Sequence, residues 1–186
     1  MRELSLNVMD IVQNSLSAGA GLVEISVLED QKADRLAIVV TDDGKGMTAE
    51  QVSHVIDPFY TTRTTRKVGL GVPLFKMEAE MTGGEFSIQS SPGVGTTVKA
   101  QFVPSSVDMI PLGDINATVG LLIKCNPDRD FIFRREKDGQ SFTLDTRELR
   151  AVLGEDVPLD TNEVTQWIEE YLKENTQLLF GGATER

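Results

Sequence analysis

Apolar residues at Leu4, Val8, Ile11, Val12 and Leu16 recur at helical spacing and predict a helix from Leu4 to about Ala18, ended by Gly19 and Gly21. The next stretch, LVEISVLE, sets Val23, Ile25 and Val27 against Glu24 and Ser26, the alternation of a half-buried strand. A turn at DQKAD precedes RLAIVVT (Arg35 to Thr41), a second and more buried strand that runs into DDGKGM. TAEQVSHVI reads as a short helix with Thr48 at its N-cap and Glu50 or Gln51 nearby. The loop DPFYTTRTTRKVG leads to a helix from about Leu70 to Met81, which TGG stops. EFSIQS and TTVKAQF are strands on either side of the turn SPGVG.

The pattern changes after VPSS. DINATVGLLIKC reads as a helix capped by Asp114, and DFIFRREKDGQSFTLDT as a hairpin turning at Lys137-Asp138-Gly139. TRELRAVLG and TNEVTQWIEEYLKEN are helices with threonine caps, Thr146 and Thr161, and the tail after Phe180 is expected to fray. The chain is therefore expected to divide near residue 105 into an α/β module, 1–105, and a small α+β extension, 106–186, of helix, hairpin and two helices.

Charge and composition narrow the partners. A net charge of −11 opposes nucleic-acid binding, which needs a surplus of Lys and Arg, so any phosphate must be held by local groups. No apolar run reaches the ~18 to 20 residues that span a membrane. The N-terminal stretch lacks the apolar centre of a secretion signal. One cysteine excludes a disulfide framework within the chain and suits a reducing cytoplasm, the expected location. One cysteine and one histidine also leave no soft-metal cluster.

Three places can carry chemistry. Asp10 and Asn14 are four apart and share one helix face; spacing alone favours a solvated polar face. A carboxylate beside an amide oxygen can also orient a nucleophile and complete the oxygen shell of Mg²⁺. DDGKGM is an ordinary turn signal, but it also sets a carboxylate at a strand end against glycine backbone on which a flat ligand can pack. Strand alternation favours Asp42 over Asp43 for that role. Finally, Gly69 and Gly71 precede a helix, where free N–H groups and the dipole attract anions, with Arg63, Arg66 and Lys67 just upstream. A solvated basic loop is an equally good account of that stretch in isolation. His54 has no sequence partner and reads as a surface or structural residue. Cys125, in an apolar helical run, reads as a core thiol. Trp167 and Tyr171 are expected to pack the last helix on the hairpin.

In this order the features resemble the ATP-binding module shared by histidine kinases, DNA gyrase B, heat-shock chaperones and mismatch-repair MutL, the GHKL or Bergerat fold. MDIVQNSLSAGA is similar to its N box, DDGKGM to its G1 box, DPFYTTR to its F box and VGLGVPLFKMEAEMTGGEFSIQSSPGVGTT to its G2 region and closing hairpin. The resemblance covers roughly Leu4 to Phe102 and implies a two-layer α/β sandwich of the α+β class. It further implies ATP and Mg²⁺ as cofactors. Asn14 would coordinate Mg²⁺, Asp42 would accept the adenine amino group, and Gly44 and Gly46 would pack under the base. Thr96 would close the pocket, and Gly69, Leu70 and Gly71 would give N–H groups to the phosphates, with Arg66, Lys67 and Val68 alongside. Asp10 stands where ATPase branches carry a catalytic glutamate, one methylene longer, and Lys67 replaces a glycine of the pattern.

The wording of the motifs is most similar to the histidine-kinase branch. No helical hairpin with a phospho-accepting histidine precedes the N box, so the chain is expected not to be a complete self-phosphorylating sensor kinase. Three functions follow from the resemblance. The first is a kinase acting on a separate protein in signal transduction, in the manner of histidine kinases or anti-sigma-factor kinases. The second is a slow ATPase serving as a conformational switch. The third is a nucleotide-binding regulatory module without turnover. A protein partner is implied in each, a homodimer stays open, and neither nucleic acid nor membrane is expected.

Overall fold

The computed structural model describes residues 3–60 and 70–181. Its elements are α1 (Leu4–Ser17), β1 (Leu22–Asp30), β2 (Arg35–Asp42), α2 (Ala49–Val55), α3 (Gly71–Met81), β3 (Glu85–Ser91) and β4 (Gly95–Phe102). They continue with α4 (Ile115–Cys125), β5 (Asp130–Lys137), β6 (Gln140–Asp145), α5 (Thr146–Leu153) and α6 (Asn162–Leu179). The strands form one sheet in the order β3-β4-β2-β1-β5-β6. All pairings are antiparallel except β1 with β5, where Ile25 lies opposite Phe133.

Alternation along the central strands decides which face is buried. Val23, Ile25, Val27, Ile38, Val40, Val98, Ala100, Phe102, Phe131 and Phe133 are all buried. Val8, Ile11 and Val12 of α1, Val72 and Phe75 of α3, and Val119, Leu122 and Ile123 of α4 join them in one hydrophobic cluster. Glu24, Lys99 and Arg134 point to the other, exposed side. The result is an α+β sandwich, helices on a mixed sheet.

The hairpin of the C-terminal segment contributes two strands to this sheet rather than a sheet of its own, and its side chains enter the same cluster. Arg129 donates to the Ala20 carbonyl and Asp130 N–H to the Gly21 carbonyl, so β5 also pins the turn between α1 and β1. The hairpin turns at Asp138 and Gly139, both with positive φ (49° and 84°), as a two-residue connection between right-twisted strands requires.

Local chemistry sets the helix ends. Thr48 and Gln51 form the reciprocal capping box of α2, and Asp114 and Thr161 cap α4 and α6. The cap of α5 differs from the expected Thr146. Asp145 takes that position, because its carboxylate reaches the Arg147 N–H. The Thr146 hydroxyl is engaged across the sheet instead, accepting from Phe131 N–H and donating to Asp130. Cys125 is exposed, not a core thiol. It falls off the stripe of Ile115, Val119, Leu122 and Ile123 that faces the core. Tyr171 packs edge-on against Phe142 and donates to the Thr143 carbonyl, while Trp167 stacks on Tyr171 and is half exposed.

Candidate functional site

The end of β2 is where α1, the DDGKGM loop and the β3–β4 turn converge. Asp42 is its last residue and is 9% exposed. Its Oδ2 accepts the Ser15 hydroxyl at 2.6 Å, and its Oδ1 accepts the Gly44 N–H at 2.8 Å. Asp43 turns the other way, to the surface, where Oδ1 takes the N–H groups of Gly21 and Leu22.

Bare backbone builds the walls. A Cβ on Gly44 would lie 2.9 Å from Asp42 Oδ1 and 3.1 Å from the Ala18 Cβ. One on Gly46 (φ +67°) would lie 1.9 Å from the Ser91 carbonyl oxygen, and one on Gly95 (φ +134°) 1.9 Å from that of Asp42. No side chain fits at either position, so the loop is pressed onto the β3–β4 turn. Lys45 N–H donates to the Ala18 carbonyl at 3.0 Å and Gly93 N–H to that of Lys45 at 2.7 Å, tying the loop to α1 and to the turn. Thr96 stands opposite Asp42 in register, and its hydroxyl meets that of Ser90 at 2.8 Å. Ser90 in turn accepts from Met47 N–H and donates to the Gly95 carbonyl.

A second contact lies one helical turn back on α1. Asp10 is half-buried against the first residue of α3, Gly71, where a Cβ would sit 2.6 Å from the Asp10 Cβ and 3.3 Å from its Oδ2. Leu70 is the N-cap, so the first N–H groups of α3 lack intrahelical partners and the helix end carries partial positive charge beside this carboxylate. Asn14 is exposed, one turn from Asp10 and adjacent to Ser15. Arg66, Lys67, Val68 and Gly69 lie outside the described residues.

Thus packing and register bring Gly44, Gly46 and Thr96 together around the end of β2 at Asp42, and Asp10 meets Gly71 where α1 packs on α3. Among the described residues no group of three or more His, Cys, Asp or Glu forms a metal centre. His54 stacks on Tyr60, ring centroids 3.7 Å apart.

Ser15, Ser90 and the buried pair Asn7–Glu78 escaped the sequence reasoning. Ser15 lies on the buried stripe of α1, four residues after Ile11; a hydroxyl among apolar positions was the available signal. Asn7 Nδ2 donates to Glu78 Oε2 between α1 and α3, and burial pushes the Glu78 carboxyl up while that hydrogen bond opposes the rise.

Residues 1–106 match the family described as histidine kinase-, DNA gyrase B-, and HSP90-like ATPases. The sensor histidine kinase YxdK of Bacillus subtilis is 31% identical over 107 residues, 54% of this chain and 32% of that protein. The non-motile and phage-resistance protein of Caulobacter vibrioides is 31% identical over 104 residues, 53% of this chain and 12% of that protein. The chain thus spans less than a third of the length of these curated relatives. The crystal structure of the N-terminal domain of a DNA repair protein superposes with a TM-score of 0.56 at 14% identity, over 78% of this chain and 53% of that one. That likeness is one of fold. No helix among the described residues is long and apolar enough to cross a membrane.

Proposed function

The chain belongs to the family of histidine kinase-, DNA gyrase B-, and HSP90-like ATPases, and from that premise we propose that it binds Mg-ATP and phosphorylates or regulates a separate protein. The observation that carries the proposal is the Asp42 carboxylate, buried among closely packed glycine backbone with lone pairs left over after Ser15 and Gly44 are served. A buried acceptor of that kind suits the amino group of adenine, and bare backbone at Gly44 and Gly46 suits its ring. Thr96 closes the same pocket from β4.

The fit extends to the charged end of the nucleotide. The N-terminus of α3, with Leu70 and Gly71, favours anionic phosphate, and Arg66, Lys67, Val68 and Gly69 precede it in sequence. Asn14 offers an amide oxygen of the type Mg²⁺ accepts, with waters and phosphate oxygens completing the shell. When bound, Mg-ATP supplies a transferable phosphoryl group. Asp10 would then orient an acceptor side chain or a water and hold its proton. The segment 106–186 is assigned to docking or regulating the partner, as an extension of the module at 1–105.

Calorimetry with ATP and Mg²⁺ tests the binding. Asp42→Ala should lose selectivity for adenine and Asn14→Ala the dependence on Mg²⁺; tight binding unchanged in both would sink the site assignment. Incubation with γ-labelled ATP and extract of the host tests the transfer. A labelled protein supports the kinase reading. Phosphate release without an acceptor, lost in Asp10→Ala, would replace it with a slow ATPase, and intact ATP after prolonged incubation with a regulatory module.

A further inference from the structure

The Asp42 carboxylate is held by donors from two different elements. Ser15 comes from α1 and is 4% exposed; its hydroxyl reaches Oδ2 at 2.6 Å. Gly44 N–H comes from the loop after β2 and reaches Oδ1 at 2.8 Å, in a backbone that Ala18 contains on the far side. One donor on each oxygen stops the carboxylate from rotating. Of its roughly four lone-pair positions, about two stay free for a ligand.

The serine has a competing use. Helical serines commonly bond back to the carbonyl four residues earlier, and here the Ile11 carbonyl lies 3.4 Å away. The shorter bond, to a charged acceptor, takes the proton. With that proton committed, Ser15 presents no donor to a ligand, and Asp42 presents acceptors only.

We propose that Ser15 is a positioning residue for purine selectivity. Its hydroxyl fixes the orientation of the Asp42 carboxylate, whose oxygens only accept, so that the site takes a 6-amino purine and rejects a 6-oxo one. The inference rests on Asp42 facing the adenine amino group, as argued above. It adds a residue within the N-box stretch to which the resemblance assigns no role.

The test compares the affinities of ATP, inosine triphosphate and purine riboside triphosphate, which carry an amino group, an oxygen and a hydrogen at position 6. All are measured on the full chain with Mg²⁺. The unaltered chain should prefer ATP over the 6-hydrogen analogue by about tenfold or more, the usual size of a hydrogen bond to a charged group. In Ser15→Ala that preference should shrink to about threefold or less, through weaker ATP binding with little change for the 6-hydrogen analogue, and inosine triphosphate should gain on ATP. Ser15→Thr, which keeps the hydroxyl, should keep the preference. If Ser15→Ala lowers the affinities of ATP and the analogue equally, Ser15 is structural and the proposal is overturned. Should that variant fail to fold in a thermal melt, Ser15→Cys, a weaker donor of similar shape, carries the same ratio test. If the unaltered chain binds ATP tightly but no better than the analogue, it is the Asp42 assignment that fails, whatever Ser15 does.

Discussion

The two halves of the molecule share one sheet but use their polar groups in opposite ways. In the C-terminal half several polar groups are tied to the fold, although Asn116 Oδ1 and Thr165 Oγ1 are buried without a partner among the described residues. Arg150 is taken up by Asp130 and by the carbonyls of Pro127 and Arg129, Tyr171 by Thr143, and Asn116 by Thr176. In the N-terminal half, Asp42 accepts only from Ser15 and Gly44 and keeps lone pairs unused beside closely packed glycine backbone. The glycines divide by contact rather than by half, since Gly113 is also crowded while Gly19, Gly83 and Gly93 are open. Gly46, Gly71 and Gly95 have a neighbour within 3 Å of any added Cβ, whereas Gly120, Gly139 and Gly154 have no described atom within 4 Å. Burial alone therefore does not mark a site. What marks it is unused hydrogen-bonding capacity beside backbone that cannot accept a side chain.

The largest effect tests whether the halves are one structure. Phe133 of β5 is fully buried, lies opposite Ile25 of β1 and Leu144 of β6, and meets Phe142 edge-on. Phe133→Ala should cost about 3–5 kcal/mol in urea denaturation. Because β1 is shared, secondary structure and nucleotide binding should be lost in a single transition. Binding that persists past the loss of the C-terminal half would show instead that residues 1–105 hold together alone.

The next effect contrasts two glycines. Gly71→Ala forces a methyl to within 2.6 Å of the Asp10 Cβ and must push α3 off α1, at about 1–3 kcal/mol. Gly120→Ala, inside α4 with open space around it, should stabilise by up to about 1 kcal/mol through helix propensity. Thermal melts of the two variants should move in opposite directions, and nucleotide affinity should fall in the first alone. Equal shifts would remove the distinction between a glycine required by a close approach and one that is merely tolerated.

The parts legible in the sequence were those written locally. Periodicity of two and of 3.6 places each strand and helix, because burial of one face leaves its mark on consecutive residues. Thr48 with Gln51, and Asp138 with Gly139, announce themselves within four residues. The parallel pairing of β1 with β5 had no such mark. It joins segments over a hundred residues apart, and the apolar alternation of DFIFRR fits any partner strand. Ser15 and Glu78 were missed for a related reason. A polar residue on an apolar stripe becomes intelligible when its partner, Asp42 or Asn7, is seen across the interface. The sequence points to Thr146 as the cap as readily as to Asp145, which precedes it, because nothing local distinguishes them.

The smallest effect gives the comparison a sign. Among the described residues, each half holds one perturbed carboxyl. Burial raises the pKa of Glu78 in α3, and the Arg147 hydrogen bond lowers that of Asp145 at the start of α5. Folded Glu78 binds its proton more tightly than the unfolded chain does, so its contribution to stability declines as pH rises from the ordinary glutamate value through the raised one. Glu78→Gln removes the charge, and its amide supplies a donor for Asn7 Oδ1, which is buried without a partner among the described residues. That variant should be more stable than the unaltered chain at neutral pH, the difference vanishing below the ordinary glutamate range. Asp145 runs the other way. Its contribution is present above the ordinary aspartate value and is lost as pH falls through the depressed one. Asp145→Asn keeps the cap, because asparagine serves an N-cap as well as aspartate. It gives up an ion pair whose arginine is half exposed, a small loss at neutral pH that disappears in acid. Urea midpoints of both variants at neutral and acid pH check the pair. Shifts of the same sign at neutral pH would mean that the two halves do not treat a perturbed carboxyl differently after all.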